Sequence, residues 1–331
     1  MKVLITATSF STVTREPEER LIAAGHDVVH NPYGRPMTPE ELKPLLKGVD
    51  GIAAGVDRFF PPAFDEADRL KVLARHGAGI DQVDIAECTR RGIVVANLPG
   101  ANAEAVADMA FALMLAVARH IPEGDRTTKA GEWVNTYGRD IYRATLGLLG
   151  LGRIGKGVAR RGRGFDMRIL AYDPYFDEQF AARYQVERAE SLEQVMREAD
   201  FVSLHMPVTN ETRGSINAEK IALMKPTSIL VNTARGALLD EEALADALES
   251  GRIFGAGLDV YGVEPPTSSR LLGCARTVTM PHVSSNTPGA LLAMGNGVTD
   301  AILAVFSGHR PEFCVNPQEA GPGAVPGGGG V

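Results

Sequence analysis

The stretch that most constrains the fold is Thr145-Leu146-Gly147-Leu148-Leu149-Gly150-Leu151-Gly152-Arg153-Ile154-Gly155. A short apolar run enters a G-x-G-x-x-G turn, and helix-compatible sequence leaves it. Such a turn lets backbone approach a pyrophosphate closely and aims the positive end of a helix at it. Glycines alone would be weak support, because the chain holds 36 of them. A second apolar run, Met167 to Tyr172, ends at the acid Asp173. That places a carboxylate about 20 residues on, where a ribose 2′-hydroxyl would be held. An ordinary tight turn explains the glycines; strand, turn, helix and acid together point to a dinucleotide.

A chain of 331 residues is long for one core and suggests two domains. Its apolar fraction of 44% suffices for two buried sheets, and its net charge of −7 lacks the basic footprint of a nucleic-acid binder. Cys88, Cys274 and Cys314 are far apart, odd in number and without C-x-x-C spacing. That excludes a disulfide framework or zinc knuckle and fits a reducing compartment. No metal is expected. Lys2 runs straight into strand-like Val3-Leu4-Ile5-Thr6, so no secretory leader is expected, and a cytoplasmic location is. The longest apolar run, Met109 to Ala118, is about half of a membrane span and reads as a buried helix, with no membrane contact expected.

Up to about residue 98, short β-type runs (Val3–Thr6, Val28–His30, Gly51–Ala54, Lys71–Ala74, Ile93–Ala96) alternate with helical ones (Glu16–Ala24, Pro39–Leu46, Ala63–Ala67, Ile85–Arg90). This alternation predicts a parallel sheet with helices on both faces. Ala101-Asn102-Ala103-Glu104 opens a long alanine-rich helix to about His120, a candidate hinge or interface element. The polar, irregular segment from Ile121 to Arg143 holds the lone tryptophan, Trp133, and is too long for a plain linker. It should pack on something, such as a second subunit. A second alternation predicts six strands: Thr145–Leu149, Arg168–Tyr172, Phe201–His205, Ser228–Asn232, Gly255–Val260 and Thr277–Met280. Leu192–Arg197, Ala218–Leu223 and Glu241–Glu249 supply helices between them. This order matches the doubly wound dinucleotide fold. Pro288 to Phe306 should be a helix that returns to complete the first domain, and the Gly/Pro/Ala/Val end should be disordered.

Ligands bind at the carboxyl ends of parallel strands. The predicted strands end at Asn232-Thr233-Ala234-Arg235-Gly236, at Asp259 with Glu264-Pro265 beyond, and at Pro281-His282. One arginine, two acids and one histidine thus fall on the edge that carries the glycine turn. A hydride enzyme acting on a 2-oxo acid needs this set: a cation for carboxylate or carbonyl, a proton donor, and an anion to hold that donor.

With these residues in view, the chain resembles the NAD-dependent D-2-hydroxyacid dehydrogenases, and among them the short phosphoglycerate dehydrogenase and hydroxypyruvate reductase-like members. The likeness covers residues 1 to about 317. It is carried by Arg75-His76-Gly77-Ala78-Gly79-Ile80-Asp81, Pro99-Gly100-Ala101-Asn102, Gly150 to Gly155, His205-Met206-Pro207, Val231 to Gly236, Leu258-Asp259-Val260, Glu264-Pro265 and Pro281-His282. The resemblance implies an α/β fold of two doubly wound parallel-sheet domains with a cleft between them. A Rossmann NAD-binding domain (99–286, with a dimerisation segment at 121–144) would be inserted into a flavodoxin-like substrate domain (1–98 and 287–317), followed by a disordered tail (318–331). It puts carboxylate binding and carbonyl polarisation on Arg235, acid/base chemistry on His282, and the partner role on Glu264, which would favour the imidazolium by opposite charge. Arg75, Gly77, Ala78 and Gly79 would join Arg235 and His282 around the substrate. The cofactor would touch Gly150, Gly152, Arg153, Ile154, Gly155, Asp173, His205, Met206, Pro207, Thr212, Thr233, Ala234, Arg235, Asp259, His282 and Ser284. Asp259 would meet the nicotinamide amide. Asp173 implies NAD over NADP, because a 2′-phosphate would meet a carboxylate there. A homodimer is the family expectation.

Departures from the family pattern matter for the substrate. Ile141-Tyr142-Arg143-Ala144 replaces the usual leucine-x-glycine-lysine before the cofactor strand. Ser284-Ser285 stands where small glycines often follow the histidine, so two hydroxyls would face the nicotinamide side. Gly51-Ile52-Ala53-Ala54-Gly55 lacks the arginine that phosphoglycerate-specific relatives carry, although Arg58 or Arg75 could substitute. Candidate pairs are therefore 3-phosphoglycerate/phosphohydroxypyruvate, glycerate/hydroxypyruvate, and glyoxylate with its alcohol. Two alternatives stay open: oxidation of a small oxyanion of the phosphite type, and an NAD-dependent binding protein of the corepressor type.

Overall fold

Short aliphatic runs punctuated by turn glycines become parallel strands in the computed structural model, which describes residues 1–316. The expected disordered tail, 318–331, lies outside the described residues. Elements follow in the order β1 (Lys2–Ile5), α1 (Glu16–Ala23), β2 (Asp27–His30), α2 (Pro39–Leu45), β3 (Gly51–Ala54), β4 (Val72–Arg75), α3 (Ile85–Arg90) and β5 (Val94–Ala96). Next come α4 (Ala103–Ala118), α5 (Ile121–Lys129), β6 (Thr145–Leu149), α6 (Arg153–Gly164), β7 (Arg168–Tyr172), α7 (Glu178–Tyr184) and β8 (Val186–Arg188). The chain continues through α8 (Leu192–Glu198), β9 (Phe201–Leu204), α9 (Ala218–Leu223), β10 (Ile229–Asn232), α10 (Glu241–Glu249), β11 (Gly255–Leu258), β12 (Thr277–Thr279) and α11 (Pro288–Phe306). Two compact units result: Met1–Asn102 with residues 286–316, and Ala103–Ser285.

The first unit is built on a five-stranded parallel sheet in the order β2-β1-β3-β4-β5. All of β3 is buried, as a central strand covered on both faces must be. Leu4, Ile52, Leu73 and Val95 form one core with Leu42, Leu46 and Phe64. α11 has the length and apolarity of a membrane span, yet it packs on β3, β4, β5 and α1 and buries Leu291, Met294, Val298 and Ile302. It is a core helix of this unit. The expected helix at Ala63–Ala67 is a short 3-10 turn instead.

The second unit carries a seven-stranded parallel sheet, β12-β11-β10-β9-β6-β7-β8. The period-two rule is visible in β10: Ile229 and Val231 face the core containing α4, and Leu230 faces the core containing α8 and α10. Gly255 and Gly257 in β11 admit α4 closely, since a Cβ there would lie 2.6 Å from Val117 Cγ1 and 2.8 Å from Leu113 Cβ respectively. Three expectations need correction. The sheet gains a seventh strand, β8, a three-residue run too short to show alternation. α7 forms between β7 and β8, capped by Asp177. Residues 121–129 form α5 rather than irregular chain; with Thr127 its one buried residue, the helix has no apolar stripe to betray it.

Candidate functional site

Helix starts in the second unit differ in how their first donors are met, and α5, like α6, has no side-chain cap. Asp177, Ser191, Asn217 and Asp240 each accept a backbone N–H at the head of α7, α8, α9 and α10. Side-chain oxygens thus satisfy donors that a helix leaves unpaired at its start. α6 begins at Gly152 with no side-chain cap. Its open donors and its positive dipole end suit a phosphate group.

The glycines are fixed by close approach as well as by conformation. Gly150 has φ +103°, and a Cβ there would lie 2.6 Å from the His205 carbonyl carbon. At Gly155 it would lie 2.1 Å from the Gly150 oxygen, whereas at Gly152 nothing stands within 4 Å. Backbone thus closes the turn on the inside and leaves it open at Gly152, where Gly152 and Arg153 are exposed and Ile154 is half-buried. Asp173, expected to face a ribose, is engaged by backbone in the structure. Its Oδ2 accepts from Leu151 N at 2.7 Å and its Oδ1 from Tyr175 N at 2.7 Å, so it braces the turn itself. The arrangement fits a dinucleotide.

The other strand ends stand along the same edge. After β9, His205 directs its imidazole inward, Nε2 meeting Ser203 Oγ at 2.9 Å, and burial pushes its pKa down to about 3. Expected as a cofactor contact, it offers that edge backbone rather than an imidazole. Met206 packs against the apolar core, and Thr212 donates its hydroxyl to the Pro207 carbonyl at 2.6 Å, shaping the following loop. After β10, Asn232 is fully buried; its Oδ1 accepts from Ala234 N and its Nδ2 donates to the Arg235 carbonyl. Thr233 is buried and Arg235 half-buried. Gly236 has no room for a side chain, since a Cβ would fall 1.9 Å from the Tyr261 carbonyl carbon. Asn232 went unassigned in the sequence, although an Asn ending a strand is a turn-forming signal.

After β11 and β12 come the two acids and the histidine. His282 Nδ1 lies 2.7 Å from Glu264 Oε2, and Glu264 Oε1 accepts from Tyr261 N at 3.1 Å. Burial opposes ionisation of Glu264. The hydrogen bond and charge of His282, the Tyr261 amide and the charge of Arg235 outweigh that and hold its carboxyl below the usual range. Asp259 departs from expectation. It is fully buried, and both its oxygens are engaged by the loop that follows His282 rather than presented to a nicotinamide amide. Ser284 is likewise buried, its hydroxyl turned inward, not toward a nicotinamide.

In the first unit, β4 runs into Arg75-His76-Gly77-Ala78-Gly79. Leu98 N donates to the Gly77 carbonyl at 3.0 Å and Asn97 Nδ2 to that of Ala78 at 2.8 Å. Gly77 has φ +146°, and Arg75 donates to the His76 carbonyl at 2.6 Å. His76 is buried, with Nδ1 3.3 Å from Ser9 Oγ and its ring 5.6 Å from that of Phe10. Among the described residues, no cluster of three His, Cys, Asp or Glu side chains is arranged to hold a metal ion.

Comparison with known proteins bears on the family and the fold. The model of the D-isomer specific 2-hydroxyacid dehydrogenase NAD binding domain matches residues 111–284. The D-3-phosphoglycerate dehydrogenase of Methanocaldococcus jannaschii is 40% identical over 290 residues, or 86% of this chain; the chain spans 55% of that protein's length. The glyoxylate reductase of Thermococcus kodakarensis is 40% identical over 301 residues, covering 87% of this chain and 89% of that protein. Among solved structures, D-lactate dehydrogenase from Aquifex aeolicus complexed with NAD and lactic acid superposes with a TM-score of 0.83. It is 27% identical and covers 96% of this chain and 100% of that one.

Proposed function

Because the chain belongs to the D-isomer specific 2-hydroxyacid dehydrogenases, NAD-linked enzymes that interconvert 2-hydroxy and 2-oxo acids, we propose that Arg235, Glu264 and His282 are its catalytic residues. The observation that carries this is the 2.7 Å His282–Glu264 bond at the strand edge that also bears the uncapped Gly150–Gly155 turn. When bound, the nicotinamide supplies a hydride to the 2-oxo acid, or accepts one from the 2-hydroxy acid. Glu264 engages Nδ1 of His282, which leaves Nε2 as the proton site. In reduction Nε2 gives its proton to the carbonyl oxygen; in oxidation the neutral ring takes the hydroxyl proton. Arg235 binds the carboxylate and draws charge toward the carbonyl oxygen, a role suited to a permanently charged planar fork.

The amides of Ala78 and Gly79, with Arg75 beside them, are offered as further donors to an anion; contrary to the expectation for Gly77, its amide already donates to the Arg75 carbonyl at 2.8 Å. Ala78 and Gly79 use no backbone N–H on a neighbouring carbonyl among the described residues. Gly152, Arg153, Ile154 and Gly155 are assigned to the pyrophosphate and Asp173 to the adenosine ribose, which favours NAD over NADP. Met206, Pro207, Thr212, Thr233 and Ala234 complete the cofactor assignment. For the substrate we favour a small unphosphorylated oxo acid such as glyoxylate or hydroxypyruvate, because β3 and its exit, Gly51 to Gly55, supply no cation for a phosphate. A cytoplasmic homodimer belongs to the same reading, supported by the exposed Trp133 and Tyr137 after α5.

The test offers the purified protein NADH with glyoxylate, hydroxypyruvate, pyruvate and phosphohydroxypyruvate, and follows NADH loss. Turnover of glyoxylate or hydroxypyruvate is expected. A clear preference for phosphohydroxypyruvate would overturn the substrate assignment, and silence with all four would overturn the activity for these acids.

A further inference from the structure

We propose that Ser284 is a positioning residue: its hydroxyl helps fasten the His282 loop to the buried carboxylate of Asp259 and so fixes where the imidazole stands. The inference rests on the reading of His282 as the proton donor and acceptor. It gives the Ser284 hydroxyl and Asp259 a task that neither the glycine turn nor the Arg235–Glu264–His282 set supplies.

His282 has φ +55°, in the left-handed region that non-glycine residues adopt at a cost. Surroundings must impose such a conformation. Its side chain is also 39% exposed, so packing alone does not hold the ring. Two anchors remain. One is the Glu264 carboxylate at Nδ1. The other is the backbone just beyond the histidine, where Val283 N donates to Asp259 Oδ1 at 2.8 Å and Ser284 N donates to Asp259 Oδ2 at 2.9 Å.

Ser284 adds a third bond to this clamp, its Oγ donating to the same Oδ2 at 2.5 Å. Asp259 is 0% exposed and Ser284 4%, so water does not compete for these donors. Hydrogen bonds to a buried carboxylate are among the stronger ones, and leaving such an acceptor short of a donor is costly. The clamp is rigid at its other end. Asp259 follows β11 directly, and its own N–H is held by the Asn232 carbonyl at 3.0 Å, in the turn that carries Arg235. A glycine or alanine at 284 would keep both amide bonds but lose the side-chain anchor. The loop would then hold the left-handed histidine less firmly, and small misplacements of a proton donor carry large rate penalties.

The experiment compares Ser284→Ala and the isosteric Asp259→Asn with the wild-type chain. Steady-state reduction of glyoxylate or hydroxypyruvate is combined with NADH binding by fluorescence, solvent deuterium isotope effects, and amide hydrogen exchange of the cofactor-free protein. For Ser284→Ala the expected result is a fall in kcat of about ten-fold or more. KM and NADH affinity should stay within about two-fold, the solvent isotope effect should rise, and the Val283 and Ser284 amides should exchange about ten-fold faster. Asp259→Asn should move kcat and exchange further in the same direction. A wild-type kcat and isotope effect in Ser284→Ala, with at most a lower Tm, would reduce the contact to ordinary structure and overturn the proposal. So would unchanged exchange at Val283. His282→Ala separates the two readings: if it is inactive while Ser284→Ala is normal, the positioning role alone fails. If His282→Ala keeps its rate, both fail.

Discussion

Nδ1 of His282 and Oε2 of Glu264 stand 2.7 Å apart although the residues are 18 positions apart in the chain and follow different strands. Parallel neighbours β11 and β12 end at the same level of the sheet, which brings their exit loops together. This pairing predicts that His282→Ala lowers kcat by about 10²–10⁴-fold while NADH binding is retained. Glu264→Gln should cost less, about ten- to a hundred-fold, because the ring remains while its anion is lost. The pH dependence follows from the sign of the Glu264 shift. Its folded-state value lies below the free one, so the anion persists beside His282 as pH falls through the ordinary carboxylate range. Wild-type kcat/KM should therefore keep its Glu264 contribution to a lower pH than a free carboxylate would allow, and Glu264→Gln should be slower than wild type throughout the pH range assayed. A Glu264→Gln rate equal to that of wild type would count against the pairing.

Asp173 gives a second prediction. Its carboxylate holds the Leu151 and Tyr175 amides and would also face a 2′-phosphate as a like charge. Asp173→Ala should therefore raise the NADPH-to-NADH ratio of kcat/KM by at least about ten-fold, the scale of losing one charge repulsion of about 1.4 kcal/mol. Absolute activity with NADH should fall as well, since the turn loses two braces. A constant ratio would remove Asp173 from cofactor selection.

Much of this site is legible in the sequence because the chemistry sits at strand ends, and strands β6, β7, β10 and β11 announce themselves as apolar runs. Gly150, Asp173, Arg235, Glu264 and His282 could be placed on one edge without coordinates. The clamp on His282 could not. It depends on a left-handed backbone at a non-glycine residue and on Asp259 meeting amides 24 and 25 residues further on. Nothing in the local pattern distinguishes an acid that faces a ligand from one that braces a loop. Asp173 makes the same point, being legible as a ribose acid but not as the brace of its own turn. α5 escaped for a simpler reason: a helix that buries Thr127 alone carries no periodic apolar signal.

Two histidines predict the acid response. Burial, and secondarily Arg75, lowers His76 to about 4; burial lowers His205 to about 3. Unfolded, both would titrate near 6.5. Below about pH 6.5 the unfolded chain therefore binds protons that the folded chain refuses, and stability falls as pH drops toward those folded values. Fully opposed, the difference amounts to about 3 kcal/mol for His76 and about 5 kcal/mol for His205. Glu41, held at about 2 by the Arg35 hydrogen bond, and Glu87, held at about 2 by Arg90 and Arg91, lose their contributions only below the usual carboxylate range. Tm should thus decline between about pH 6.5 and pH 4.5, before the ion pairs titrate. His76→Asn should flatten that decline; an identical slope in the variant would show that His76 is not a source of it.

The last prediction concerns the segment after α5. Trp133 is 89% exposed, Tyr137 87% and Val134 53%, all within five residues. Large aromatic side chains are the usual anchors of protein interfaces, each able to bury about 150–250 Å². Leaving two of them in water a few positions apart is unfavourable unless a partner covers them. A homodimer would do so, and the segment then belongs to the interface rather than to the core of its own unit. Light scattering after gel filtration should give about 70 kDa, twice the 35.3 kDa chain. Replacing Trp133 and Tyr137 together by alanine should halve that mass or make it concentration-dependent, with the fold retained by circular dichroism, because neither side chain supports its own unit. A wild-type mass of one chain at micromolar concentration would sink the dimer, and an unchanged mass in the double variant would move its interface elsewhere.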